Sequence, residues 1–66
     1  MNPIELTLPD MTCGHCVKSV TRTVLDLDPT ARVQTDLGTH RVILHTSVAR
    51  EVLEKALAAE GYPATA

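Results

Sequence analysis

Ile4, Leu6 and Leu8 alternate with Glu5 and Thr7, and a period of two predicts a strand with one buried face, closed by Pro9 and Asp10. From Gly14 to Leu27 the spacing changes. Val17, Val20, Val24 and Leu27 recur three and four apart, which predicts an amphipathic helix. Thr12 is placed to cap its start, and Asp28-Pro29 ends it, since a residue before proline is pushed out of helical dihedrals. Ala31, Val33, Thr35 and Leu37 then alternate against Arg32, Gln34 and Asp36. After Gly38-Thr39, Val42 and Leu44 stand opposed to Arg41 and His45, so two strands around a short glycine turn form a hairpin. From Ser47 to Glu60, Ala49, Leu53, Ala56 and Leu57 share one side while Arg50, Glu51, Glu54 and Lys55 lie outside, a second amphipathic helix that Gly61 stops at its C′ position. Residues 62–66 leave room only for a short last strand, which Pro63 confines to a sheet edge.

The order strand, helix, strand, strand, helix, strand predicts an α+β fold, a ferredoxin-like βαββαβ sandwich with two helices on one face of an antiparallel sheet. There is no internal repeat, low-complexity tract or linker, so residues 1–66 read as a single domain. A chain of 66 residues buries only ~60% of its unfolded surface, which argues against a large substrate cleft. With 44% hydrophobic residues, no Trp, no Phe and one Tyr, its core is built from Val, Leu, Ile and Ala. Such thin cores often rely on disulfides or structural metals, but the two cysteines sit three positions apart and cannot staple distant segments.

Charge narrows the partners. Six basic and eight acidic residues in mixed order, net −2, do not make the dense basic patch that nucleic acid requires. The start Met1-Asn2-Pro3-Ile4-Glu5 lacks the basic and apolar stretches of a secretory signal, and no run approaches the ~20 apolar residues of a membrane helix. The expectation is a cytoplasmic chain without membrane insertion.

The chemistry lies in Cys13-Gly14-His15-Cys16, where the loop after the first strand becomes the first helix. Exposed amides and the macrodipole at a helix N-terminus stabilise negative charge, so the thiol pKa values should fall below the free value of ~8.5. Two spacer residues let both sulfurs turn to one point, and two soft thiolates suit Cu(I). A closed structural Zn(II) site usually needs four protein ligands; His15 points away if the cysteines converge, and His40 and His45 belong to the hairpin as ordinary surface residues. Two other readings stand beside the metal site. Cysteines can be inert buried residues, and C-x-x-C at a helix start also serves thiol-disulfide oxidoreductases, although those folds are considerably longer.

Met11-Thr12-Cys13-Gly14-His15-Cys16 resembles the M-x-C-x-x-C metal loop of heavy-metal-associated domains. The resemblance spans essentially the whole chain: Val17 and Val20 continue the motif as in that family, and Gly61-Tyr62 resembles its closing glycine and aromatic. Asp10 departs from the glycine common there, which stiffens the loop's entry. The resemblance implies a non-enzymatic protein akin to the soluble bacterial copper chaperones that deliver Cu(I) to the metal-binding domain of a copper-transporting P-type ATPase. It implies Cys13 and Cys16 as the ligands, with Zn(II), Ag(I) or Hg(II) as alternative ions in vitro and a copper-bridged homodimer as a further state. Met11 would tuck under the loop, Thr12 would flank it, and Tyr62 would sit beside it as in bacterial members. A regulatory metal domain of a heavy-metal ATPase and a mercury-binding relative are the alternatives within the family. Outside the motif, His15, Lys18 and Arg22 stand three and four apart and form an exposed helical stripe, either a solvated face or a dock for an acidic partner.

Overall fold

The computed structural model describes residues 3–65. In chain order they form β1 (Pro3–Thr7), α1 (Gly14–Leu27), β2 (Arg32–Asp36), β3 (Arg41–His45) and α2 (Arg50–Ala59). The three strands make one antiparallel sheet in the order β1-β3-β2. Leu6 faces Val42 and Ile4 faces Leu44 across one ladder, while Val33 faces Leu44 and Thr35 faces Val42 across the other. Because side chains alternate along a strand, this register gathers Ile4, Leu6, Val33, Val42 and Leu44 on one face and leaves Glu5, Gln34, Asp36, Arg41 and Ile43 on the other.

Both helices cover the apolar face. Val20 and Val24 of α1 and Leu53 and Leu57 of α2 are fully buried with Leu6, Leu8, Met11, Val42 and Leu44. The fold is the ferredoxin-like α+β arrangement that the alternating and helical spacings predicted.

Several local features differ from the sequence expectations, and Leu27 and Leu37, which the spacing put on apolar faces, are exposed, Leu37 lying beyond the end of β2. Thr12 does not cap α1: Cys13 takes the extended N-cap dihedrals and its sulfur accepts from the Cys16 amide, while Thr12 is exposed. Helix α2 begins at Arg50 rather than Ser47, and Ala49 is an exposed, extended N-cap outside the buried stripe. The later start follows from Thr46, whose hydroxyl accepts the Val48 amide at 3.2 Å and draws Ser47-Val48 into a turn. In the hairpin the positive φ falls on His40, at 59°, rather than on Gly38, whose amide bonds the Asp36 carboxylate. The last strand shrinks to one antiparallel bridge, with the Thr65 amide donating to the Thr7 carbonyl; Ala66 lies outside the described residues. Gly61 does stop α2 as predicted, at φ 92°, with the Gly61 and Tyr62 amides closing onto the Ala58 and Leu57 carbonyls in a Schellman motif.

The end of α1 is tied to the sheet by Asp28. Its carboxylate accepts the Thr30 amide and hydroxyl and, at 2.6 Å, the hydroxyl of the buried Thr46. The Thr30 hydroxyl first, then that of Thr46, holds the Asp28 carboxyl below its ordinary range. Since the core is thin, each of its large side chains carries much of the stability. Leu57→Ala should cost about 2–5 kcal/mol, the range for truncating a fully buried leucine; urea unfolding with a lowered midpoint and an unchanged slope is the expected result.

Candidate metal centre

The loop from Pro9 to Thr12 leads from the sheet to the helix, and its geometry is fixed from below. The Met11 side chain is fully buried, and the Met11 amide donates to the Leu8 carbonyl at 3.0 Å. From this anchor the chain rises to the surface within two residues: Thr12 and Cys13 are exposed, and Cys16, one helical turn on, is half-buried. The Met11 side chain is thus part of the core beneath the loop.

Turning from loop to helix brings the two thiols together. Cys13 Sγ and Cys16 Sγ are 3.0 Å apart, and both cysteines are free. As N-cap, Cys13 has φ −148° and ψ 169°, which aims its sulfur back over the first turn to meet the Cys16 amide at 3.4 Å. The Val17 amide closes the first helical bond onto the Cys13 carbonyl.

Electrostatics favours charge on this pair. The Cys16 thiol is lowered from 9.0 to about 6, first by its hydrogen bond with Cys13, then by the Thr12 amide and the Tyr62 hydroxyl, against a smaller opposing effect of desolvation. Tyr62 is raised in turn, chiefly because its hydroxyl donates to Cys16 and would lose that bond on ionising. Thr12 thus acts through its backbone amide, not its hydroxyl. Cys16 is largely thiolate at neutral pH, the form that binds soft metals and attacks electrophiles. Exposure of Cys13 removes the reading of both cysteines as inert core.

Of the remaining expected residues, His15 is exposed and makes no hydrogen bond to the thiols among the described residues. Nowhere among the described residues do three His, Cys, Asp or Glu side chains converge as a metal cluster would require. The two sulfurs, with Cys13 exposed, are the candidate donors of the loop. His15, Lys18 and Arg22 do share one surface, a groove of about 550 Å³ along α1. Asp26 and Glu60 line the same groove, so the stripe is of mixed charge rather than purely basic.

His40 is the residue the spacing did not single out. Half-buried at the end of the hairpin turn, it places its imidazole Nδ1 3.0 Å from the Met11 carbonyl, and its own carbonyl accepts the Leu8 amide at 2.7 Å. Its link to a loop 29 positions away left no trace in local periodicity.

A two-thiol loop on a ferredoxin-like sandwich defines a class of metal-binding domains, and comparison with known proteins agrees. The chain belongs to the heavy-metal-associated domain family, whose model matches residues 5–63. It is 40% identical to a gold-binding protein of known structure over 91% of this chain and 92% of that one, with a TM-score of 0.88. It is 35% identical to the copper chaperone Atx1 from Synechocystis PCC6803, in a single-residue variant with a trimeric form, over 94% of this chain and 98% of that one, with a TM-score of 0.91. Oxidised MerP from Ralstonia metallidurans CH34, 24% identical over 97% and 93% of the two chains with a TM-score of 0.86, shares the fold. No curated protein sequence matches the chain.

The lowered thiol sets a pH dependence. Below pH 6 Cys16 is protonated and slow to alkylate; above it the rate should rise to a plateau, with a midpoint of about 6. Tyr62→Phe removes a donor to the thiolate and should move that midpoint upward. Alkylation of Cys16 followed by mass spectrometry across pH 4–9 checks both, over a window of about two to three units either side of the midpoint.

Proposed function

We propose that this protein is a copper chaperone that holds one Cu(I) between Cys13 and Cys16 and passes it by ligand exchange to a thiolate site on a copper-transporting P-type ATPase. The observation that carries the reading is the pair of sulfurs 3.0 Å apart at a helix N-terminus, one of them with its pKa lowered to about 6. A soft monovalent ion accepts two thiolates, whereas Zn(II) prefers four ligands that this loop does not gather. Family membership and the likeness to the Synechocystis chaperone support the same conclusion. The reading takes residues 1–66 as one domain, requires a reducing compartment such as the cytoplasm to keep the thiols free, and involves no enzymatic turnover.

Transfer is a matter of exposed geometry. Two-coordinate Cu(I) leaves its outer side open, so an incoming thiolate can bind before either cysteine lets go, and the ion is never released to water. The same openness lets a second copy of this chain share the ion, giving a copper-bridged homodimer. A trimeric form of the Synechocystis chaperone and the gold-binding function of another relative support a site open to other chains and other soft ions. Ag(I) and Hg(II) are therefore ions that the loop should accept in vitro, with Zn(II) weaker.

Anaerobic titration of the reduced protein with Cu(I), Zn(II) and Hg(II) tests the claim. One Cu(I) per chain is expected, and replacing both Cys13 and Cys16 by Ser should abolish uptake while the metal-free fold stays intact. Unfolding of that double variant without metal would instead mark a structural site. His15→Ala should change Cu(I) binding little.

Docking rests on the mixed groove. Neither Lys18 nor Arg22 is in an ion pair among the described residues, so both charges are available beside the loop. Charge complementarity of this kind acts mainly on association rate and weakens with salt. Reversing Lys18 and Arg22 to Glu should slow copper transfer to an acidic ATPase domain at low ionic strength, with Cu(I) affinity nearly unchanged. Stopped-flow transfer rates equal to those of the parent would leave the groove as solvated surface.

A further inference from the structure

His40 stands outside the motif, is half-buried rather than the ordinary hairpin surface residue expected, and holds a left-handed backbone conformation. At φ 59° it lies in the left-handed region, where glycine or asparagine sits at lower cost. Its two contacts converge on the cysteine loop. The His40 carbonyl receives the Leu8 amide where β1 ends, and Nδ1 meets the Met11 carbonyl two residues before Cys13. A carbonyl can only accept, so the neutral imidazole must carry its proton on Nδ1.

We propose that His40 is a positioning residue that clamps the loop between Leu8 and Met11 and so fixes the direction in which the chain leaves the core toward Cys13. The clamp rests on the reading of Cys13 and Cys16 as the metal site, but it exists in the metal-free protein. Three fixtures then hold Met11: its buried side chain, its amide on Leu8, and its carbonyl on the His40 imidazole. With Met11 fixed, only Thr12 separates the anchor from the first sulfur, which limits how far the Cys13 thiol can wander from Cys16. The left-handed φ is what allows one residue to present both its carbonyl and its Nδ1 to the same loop.

Substitutions separate clamping from turn geometry. His40→Gly relaxes the backbone and keeps the residue-40 carbonyl for Leu8, but deletes the imidazole. His40→Asn tolerates the left-handed region, and its side-chain amide nitrogen occupies the position of Nδ1, so it can restore the bond to Met11. His40→Gln places its amide where Nε2 would be and should not.

The test is hydrogen exchange on the reduced, metal-free protein, with imidazole ¹⁵N shifts and urea unfolding alongside. Loss of one hydrogen bond should speed Met11 amide exchange about fivefold in His40→Gly and His40→Gln, with parent-like exchange in His40→Asn. The Leu8 amide should stay protected in all three, the His40→Gly midpoint should not fall below that of the parent, and the parent ¹⁵N shifts should show the Nδ1–H tautomer. Cu(I) should leave His40→Gly for a chromophoric chelator faster than it leaves the parent or His40→Asn. Unchanged Met11 exchange in His40→Gly, exchange in His40→Asn as fast as in His40→Gly, an Nε2–H tautomer, or acceleration spread evenly over the chain would each overturn the clamp. If the parent takes up no Cu(I), the chaperone reading falls, and the exchange data still decide whether His40 holds the loop.

Discussion

Burial of Met11 is the constraint from which the site's geometry follows. Its side chain is fully enclosed by the core, yet two residues later Cys13 is exposed. A chain that must climb from interior to surface in so short a span has few routes. Here the route is an extended Cys13 whose sulfur caps α1 and whose carbonyl begins the helical ladder. A shorter or polar residue at position 11 would loosen the anchor and widen the choice of routes, so the core and the site are one structure rather than a scaffold with a loop attached.

Much of this was legible in the sequence because its signals are local. Alternation at Ile4, Leu6 and Leu8 and the spacing of Val20, Val24, Leu53 and Leu57 reflect two periods that the pleat and the helix impose on any buried face. The cysteine pair at a loop-to-helix boundary was visible for the same reason. What escaped were choices made by hydrogen bonds. Thr12 and Cys13 are both able to cap a helix, and only the extended dihedrals of Cys13 decide between them. Ser47 carries a good start signal for α2, but the Thr46 hydroxyl takes the Val48 amide and delays it. The hairpin turn looked like a glycine turn, while the left-handed position went to His40, whose partner lies 29 residues away.

Thiol pairs at helix starts serve both metal transfer and disulfide exchange, and lowered pKa alone does not tell them apart. Here both cysteines are free, and the sulfurs stand at hydrogen-bonding separation across one turn. The groove beside the loop is lined by charged and polar residues, including Lys18, Arg22 and Asp26. A polar, mixed-charge margin suits brief encounters, in which many weak and screened contacts orient a partner without retaining it.

The same amides serve two purposes that compete. In the metal-free chain the Cys13 sulfur satisfies the Cys16 amide, one of the donors that a helix N-terminus leaves without partners, and the Thr12 amide and Tyr62 hydroxyl face the Cys16 sulfur. On the proposed reading, turning both sulfurs to a metal would weaken those contacts, but two thiolates would bring negative charge to the positive end of α1, where the macrodipole would offset part of the loss. The empty site keeps its hydrogen bonds, and on the proposed reading an ion held at its exposed edge would not be trapped. On the proposed carrier reading that balance would matter more than affinity, since an ion held by two exposed sulfurs and passed to a third must find every step of the exchange nearly level in free energy.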